Sequence, residues 1–221
     1  MFGRRKRLSY NLGQSIQLDT KLSDMSFTVF DTETTGFSIS KDDRLIEIGA
    51  VQVEHLQVTD RTFQTFTNPN RDIPESITQL TSIEQKHVEN APTSFKAIKN
   101  FFQFVEENQS SGWVGHHLNF DRLVIAKELQ RASYSYNEPS TFDTFDLIDY
   151  LIPACNQRDL EEYADIFDTQ TFERHRALGD AMTTAHLFVE LLKRLEQQGI
   201  TTLAHLLRLK NGKVQREIAM F

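Results

Sequence analysis

The sequence predicts an α/β fold, a β-sheet covered by helices, and three observations carry that prediction. β-rich runs alternate along the chain with stretches whose apolar residues recur at helical spacing. Two of the β-rich runs are joined by so short a connection that they read as an antiparallel hairpin. A long stepped apolar series follows late in the chain. In order, Ser26–Phe30 is a short β-rich run that leads into Asp31-Thr32-Glu33-Thr34-Thr35-Gly36. Leu45–Val53 is rich in β-branched residues, and Val58–Thr67 is its hairpin partner. Asn68-Pro69-Asn70 breaks the strand pattern. Phe95, Ile98, Phe102 and Val105 then mark one face of a helix. Trp113–His116, after Ser111-Gly112, reads as a short strand, Phe120–Arg131 as a helix and Phe142–Phe145 as a further strand. Ala181, Ala185, Phe188, Leu192 and Leu195 step by four, three, four and three, the spacing of a long amphipathic helix.

A chain of 221 residues is long enough for one domain with a sizeable core. The expected division is a basic, flexible arm over residues 1–24, a domain over 25–210 and a tail over 211–221 after the helix-stop signal Asn211-Gly212. The arm opens with Arg4-Arg5-Lys6-Arg7, a run that is either solvated or set against a phosphate backbone or a partner protein. No apolar run approaches the ~20 residues that span a bilayer, and the basic start lacks the apolar stretch of a secretory signal. Cys155 is the only cysteine and cannot form an internal disulfide, which fits a cytoplasmic protein with no membrane association. The net charge of −7 argues against a broad grip on duplex nucleic acid and leaves room for a short, local contact.

Three short segments carry the chemistry. Asp31 and Glu33 are two residues apart, so on an extended strand their carboxylates point to the same side and form an oxygen-rich claw suited to Mg²⁺ or Mn²⁺. Gly36 permits the turn that follows. Asp121 lies just inside a helix start, where the helix dipole favours a carboxylate. His175 and Asp180, five residues apart, would sit about 140° apart on a regular helix. To share one site, His175 must lie in a loop and Asp180 in the first helical turn after Gly179. An imidazole there titrates near neutral pH and can accept a proton from water. Each segment alone has an ordinary reading: a solvated strand end, a helix-start acid, a surface histidine between Arg174 and Arg176.

In this order the three segments resemble the DEDDh 3′–5′ exonucleases, the family that includes the proofreading epsilon subunit of bacterial DNA polymerase III. The match runs through Asp31-Thr32-Glu33-Thr34-Thr35-Gly36, Phe120-Asp121 and His175 with four residues before Asp180. It extends to Arg44-Leu45-Ile46-Glu47-Ile48-Gly49-Ala50-Val51, Asn68-Pro69, Ala91-Pro92 and Phe142-Asp143-Thr144, and so covers roughly residues 26–195. The resemblance implies a ribonuclease H-like, three-layer α/β/α fold whose mixed, mostly parallel sheet contains an antiparallel strand. It implies hydrolysis of the terminal phosphodiester of single-stranded or frayed DNA to nucleoside 5′-monophosphates, with two Mg²⁺ or Mn²⁺ ions held by Asp31, Glu33, Asp121 and Asp180 and with His175 as the base. The expected substrate-binding residues are Thr34, Thr35, Gly36, Phe37, His117 and Asn119. The family usually carries Asn where this chain has His117, and Asn119 is a shifted substitute. His116 and His117 as zinc ligands are a minor alternative, and most of the 17 phenylalanines, such as Phe95 and Phe102, read as core.

The implied partners are nucleic-acid 3′ ends, DNA ahead of RNA, and a replication or repair protein. The tail Gln215-Arg216-Glu217-Ile218-Ala219-Met220-Phe221 loosely resembles peptides that dock into bacterial sliding clamps. The same residues would serve a 3′–5′ exoribonuclease or oligoribonuclease. A non-catalytic nucleic-acid-binding module is the remaining reading, and the presence of all four acids speaks against it.

Overall fold

Period-two alternation in two adjacent strands decides how the layers form. The computed structural model describes residues 5–153 and 159–209. The chain runs β1 (Lys6–Arg7), a 3₁₀ turn (Leu22–Asp24), β2 (Ser26–Thr34), β3 (Leu45–Glu54), β4 (Gln57–Phe66), α1 (Glu75–Thr81), α2 (Gln85–Val88), α3 (Ser94–Glu107), β5 (Gly112–Gly115), α4 (Asn119–Arg131), β6 (Tyr134–Ser135), β7 (Thr141–Asp143), α5 (Thr144–Leu151), α6 (Leu160–Ile166) and α7 (Ala177–Gln197). Residues 203–209 are also helical. The main sheet has the order β4-β3-β2-β5-β7. β3 is antiparallel to both of its neighbours, while β2, β5 and β7 are parallel. β3 therefore opposes the other strands, which gives the expected mixed sheet with one reversed strand.

On one face of the sheet Phe27 and Val29 of β2 and Val51 and Val53 of β3 pack with Ile148 of α5, Tyr163 of α6 and Ala181, Ala185, Phe188 and Leu192 of α7. On the other face Phe30, Ile48 and Ala50 pack with Ile98, Phe101 and Phe102 of α3, Trp113 of β5 and Val124 and Leu129 of α4. Each of these large side chains contributes about 1.5–3 kcal/mol on burial, and together they fix which side of β2 faces which helix. The alternation continues past the apolar residues, so Asp31 and Glu33 fall on the α7 face and Thr32 on the α4 face.

Several details differ from the sequence reading. β2 continues beyond the β-rich run Ser26–Phe30, through the acidic motif to Thr34. The stretch Phe142–Phe145 splits: the strand ends at Asp143, whose side chain caps α5 by accepting the Phe145 N–H at 3.0 Å. α7 starts at Ala177, ahead of Gly179, and keeps Asp180 in its first turn. The β3–β4 hairpin turns on His55 and Leu56, both left-handed (φ 50° and 55°), a two-residue turn without the usual Asn-Gly signal.

The stretch expected as an arm lies along the domain over residues 5–24. Lys6–Arg7 pairs in parallel with Tyr134–Ser135, and Leu12 and Leu22 are buried. Leu22 N–H donates to Thr201 O at 2.9 Å. Scattered anchors hold this segment, which is why no period marks it. Arg4, Cys155, the stop signal Asn211-Gly212 and the tail Gln215–Phe221 lie outside the described residues. No described helix is long and apolar enough to cross a membrane.

The approach of α7 to the sheet is set at Gly49, where a Cβ would lie 2.1 Å from Leu178 N and 2.2 Å from Ala177 C. Gly49→Ala should therefore destabilise the fold by about 1–3 kcal/mol or more, measured by denaturant unfolding. An unchanged midpoint would contradict the close packing of α7 on β3.

Candidate active site

The acids converge at the carboxyl end of β2. Asp31 and Glu33 share the α7 face there, and the first turn of α7 brings Asp180 to them with the helix dipole favouring its charge. Carboxylate oxygens of Asp31, Glu33 and Asp180 lie within 4.8 Å of one another. Asp121 arrives on α4 from the opposite face, 3% exposed, and its Oδ1 accepts the Thr32 hydroxyl at 2.6 Å. The strand thus addresses both sides of the site through consecutive residues.

Forcing these acids together has a clear electrostatic signature. Loss of water raises the Asp31 carboxyl well above its ordinary range, and the charges of Asp121, Glu33 and Asp180 add to the effect. Glu33 is pushed up to about 8 by desolvation first and then by Asp180, Glu47 and Asp121. Asp121 is raised to about 7 by desolvation, against the opposing Thr32 hydrogen bonds. Asp180 is also raised by desolvation, although Arg174 draws it back. Convergent, desolvated, mutually repelling carboxylates fit a hard divalent cation, which takes oxygen donors and replaces protons as the neutralising charge.

Neighbouring residues hold this arrangement. Glu47, fully buried on β3, accepts from Arg176 Nη2 at 2.9 Å, from Gln64 Nε2 at 2.6 Å and from the Ala177 N–H at 3.0 Å. That N–H is one of the helix-start donors with no partner inside the helix, so Glu47 fixes the first turn of α7 and with it Asp180. Asp143 accepts from the Leu118 N–H at 2.9 Å and the His117 N–H at 3.3 Å, pinning the turn that launches α4 and Asp121. The loop after β2 closes on Asp43, which accepts from Thr35 Oγ1 at 3.0 Å and the Ser38 N–H at 2.8 Å. Gly36 (φ 155°) passes so close that a Cβ would lie 2.5 Å from Asp43 Oδ2.

The other expected residues take varied positions. Thr34 Oγ1 donates to Gly36 O at 2.8 Å, and the Thr35 hydroxyl is committed to Asp43, so both shape the turn with their side chains. Phe37 is 84% exposed, its ring 5.8 Å from that of Phe120. His117 adopts φ 59°, a conformation for which Asn and His are both enriched, so the histidine keeps the backbone that the family asparagine would favour. Its ring lies 4.1 Å from Phe145. The amide oxygen of Asn119 is taken by Arg122 at 2.8 Å, itself paired with Glu138. His175 is in the loop before α7 (φ 56°), and its N–H donates to Asp180 Oδ2 at 3.1 Å.

A cleft of about 430 Å³ opens onto Asp31 and Asp180 and is walled by His116, His117, Leu160 and Arg174. The guanidinium of Arg174 also borders the acids here, its Nη1 2.8 Å from Asp180 Oδ1. His116 Nδ1 lies 2.7 Å from Thr144 Oγ1, which has Gly115 O as an acceptor at 3.4 Å. That chain puts the proton on Nδ1 and leaves Nε2 as a buried lone pair without a protein partner. Desolvation first, and then the charges of His117 and Arg174, keep the His116 ring neutral, down to about 3. Neither histidine belongs to the group of described residues with metal-ligand spacing, which does not favour the zinc reading. A larger cleft, about 680 Å³, lies at the far end of β2, where the Ser26 N–H donates to Ser111 Oγ at 3.1 Å.

The sequence reading missed Thr32, Glu47, Asp143, Thr144, Arg174 and Arg176 as parts of the site. Glu47 and Gly49 did carry a signal, an acid and a glycine at alternate positions of a largely apolar strand. Arg174 carried none beyond its place beside His175.

Known proteins resemble this chain in sequence and in fold. The profile of the family described as Exonuclease matches residues 28–188. The DNA polymerase III subunit epsilon of Aquifex aeolicus (strain VF5) is 34% identical over 202 residues, covering 90% of this chain and 97% of that protein. The 3′–5′ exonuclease DinG of Bacillus subtilis (strain 168) is 34% identical over 183 residues, 83% of this chain. The PolC-type DNA polymerase III of Caldanaerobacter subterraneus subsp. tengcongensis is 33% identical over 180 residues, 81% of this chain. The chain spans only 19% and 12% of the length of these last two. Among solved structures, the nuclease domain of 3′hExo, a DEDDh family member bound to rAMP, superposes with a TM-score of 0.67 at 18% identity, covering 81% of this chain and 96% of that one. Exonuclease X in complex with 5′ overhanging duplex DNA gives 0.63 at 21% identity, covering 81% and 97%. Both share the fold.

The crowded carboxyls make a pH prediction. Glu33 and Asp121, moved from 4.5 to about 8 and from 3.8 to about 7, bind protons more tightly folded than unfolded. Their favourable contribution is complete at low pH and is lost as pH rises through the folded values. His116, lowered from 6.5 to about 3, acts in the opposite sense only below pH 6.5. In chelator, the melting temperature should therefore fall between about pH 6.5 and 8, and saturating Mn²⁺ should flatten the slope. A melting temperature that rises over this range in chelator would contradict the enforced proximity of the acids.

Proposed function

This chain belongs to the exonuclease family, and from that membership we propose that it is a 3′–5′ exonuclease that removes nucleoside 5′-monophosphates from single-stranded or frayed DNA ends. The observation that carries the reading is the convergence of Asp31, Glu33 and Asp180 within 4.8 Å, with the charge of Asp121 acting on Asp31. Asp31, Glu33, Asp121 and Asp180 supply the four acids, and His175 the histidine, for which the DEDDh branch is named. DNA as the substrate is supported by the relatives that carry the name of DNA polymerase III. The same relatives support work alongside a replication or repair protein.

Asp31, Glu33, Asp121 and Asp180 would hold two Mg²⁺ or Mn²⁺ ions, which would supply Lewis-acid polarisation of the scissile phosphate and of the attacking water. The protein's own groups do the rest. Thr32 holds Asp121, and Glu47 with Arg176 holds the start of α7, so the acids stay fixed while they repel one another. His175, on a loop ahead of that rigid helix, accepts the proton of the attacking water. Phe37, exposed beside the turn after β2, offers a face on which the terminal base stacks, and backbone groups of Thr34, Thr35 and Gly36 border the terminal sugar.

Digestion of 5′-labelled oligonucleotides tests this. Single-stranded and mismatched-duplex DNA should shorten stepwise from the 3′ end, faster than matched RNA, and chelator should stop the reaction. Asp31→Asn should lose hydrolysis while retaining the fold, and a fully active Asp31→Asn protein would refute the proposed role of the acids. His175→Ala should slow turnover by about 10²–10⁴-fold with little change in Mn²⁺ affinity. An unaltered pH–rate profile in that variant would assign the base elsewhere, and faster digestion of RNA would make this an exoribonuclease.

A further inference from the structure

The acid cluster contains a cation of its own. Arg174 Nη1 lies 2.8 Å from Asp180 Oδ1, and the pair is largely shielded, with 24% and 7% of the two side chains exposed. The second oxygen of Asp180 accepts the His175 N–H at 3.1 Å. Asp180 is also one of the three carboxylates whose oxygens converge. Among the described residues, Arg174 is the basic side chain that pairs with a member of this cluster; Arg176, two residues on, is committed to the buried Glu47. One guanidinium against four crowded acids leaves the site short of positive charge.

We propose that Arg174 is a resident counter-cation: it occupies Asp180 in the metal-free protein and gives up that carboxylate when a divalent cation binds. The inference rests on the metal-dependent reading above and adds a residue that sets metal affinity against it. A carboxylate oxygen donating its lone pair to a metal cannot keep the same short bond to a guanidinium without placing two positive centres side by side. The repulsion between those two centres therefore works against the Arg174–Asp180 contact when a metal binds. Its energetic effect has a definite sign. Arg174 stabilises the metal-free fold by shielding the acids, whose proton affinities it lowers at Asp31, Glu33 and Asp180. By the same charge, it opposes the cation that would replace it. Because Arg174 and His175 hang from the two oxygens of one carboxylate, the exchange also frees one of the two bonds by which the histidine's loop grips Asp180.

The test is Mn²⁺ titration calorimetry on the full chain, stripped with chelator, with thermal melts in chelator and in saturating Mn²⁺. Arg174→Gln should bind Mn²⁺ about tenfold more tightly than the parent. It should melt below the parent in chelator and level with it in Mn²⁺. Arg174→Lys, which keeps the charge but not the planar fork, should fall between the two in both measurements. Arg174→Gln binding Mn²⁺ no more tightly, or losing the same melting temperature with and without metal, would overturn the proposal and leave Arg174 a structural residue. A parent protein that binds no Mn²⁺ would overturn the metal-dependent reading and this inference with it, whereas a parent that binds and a variant that gains nothing would sink only the inference. If Arg174→Gln does not fold, tightening in Arg174→Lys sustains the proposal and its absence overturns it.

Discussion

Like charges held together out of water are the condition around which this molecule is built. At the end of β2 the chain places Asp31 and Glu33 on one face, Thr32 on the other, and closes the site with Asp180 from α7 and Asp121 from α4. Each carboxyl is raised above its ordinary range, and the largest cause is the same in every case, desolvation. Such a site costs stability when it is ionised and empty, and it repays that cost only when cations enter. The surrounding fold has to be rigid enough to enforce the arrangement against its own repulsion.

The same protein shows what buried acids look like when their purpose is structural. Glu128 on α4 is buried and is held by Arg44 at 2.8 and 2.9 Å, by Arg131 at 2.9 Å and by Ser94 at 2.6 Å. Desolvation pushes its carboxyl up, but the bonds from Arg44 and Ser94 outweigh it and leave the group lowered. Glu47 is also fully hydrogen-bonded, with Arg176 on its oxygens and the start of α7 tied to it. These two acids brace the helices that carry Asp121 and Asp180. Fully partnered acids thus support under-partnered ones, and the difference between them separates scaffold from site.

Much of this was legible in the sequence, for physical reasons that can be stated residue by residue. The alternation through Phe27, Val29, Asp31 and Glu33 is local, so the strand and the shared face of its two acids follow from period two alone. The five-residue gap from His175 to Asp180 excludes one helical face and forces a loop-then-helix arrangement, which is what the start of α7 at Ala177 provides. What stayed hidden depends on tertiary partners. The left-handed His55-Leu56 turn has no turn chemistry of its own and is imposed by the register of β3 on β4. The segment before β2 is held by isolated anchors such as Leu12 and Leu22, which leave no period to read. Arg174 is one of two arginines beside His175, and only the folded loop distinguishes the one that faces Asp180 from the one that faces Glu47.

The most direct measurement is anomalous diffraction from crystals of the protein grown with Mn²⁺. The account requires manganese peaks ligated by Asp31, Glu33 and Asp180, with a second site supported by Asp121. Crystals that diffract well, contain Mn²⁺ in the drop and show no peak among these carboxylates would contradict it.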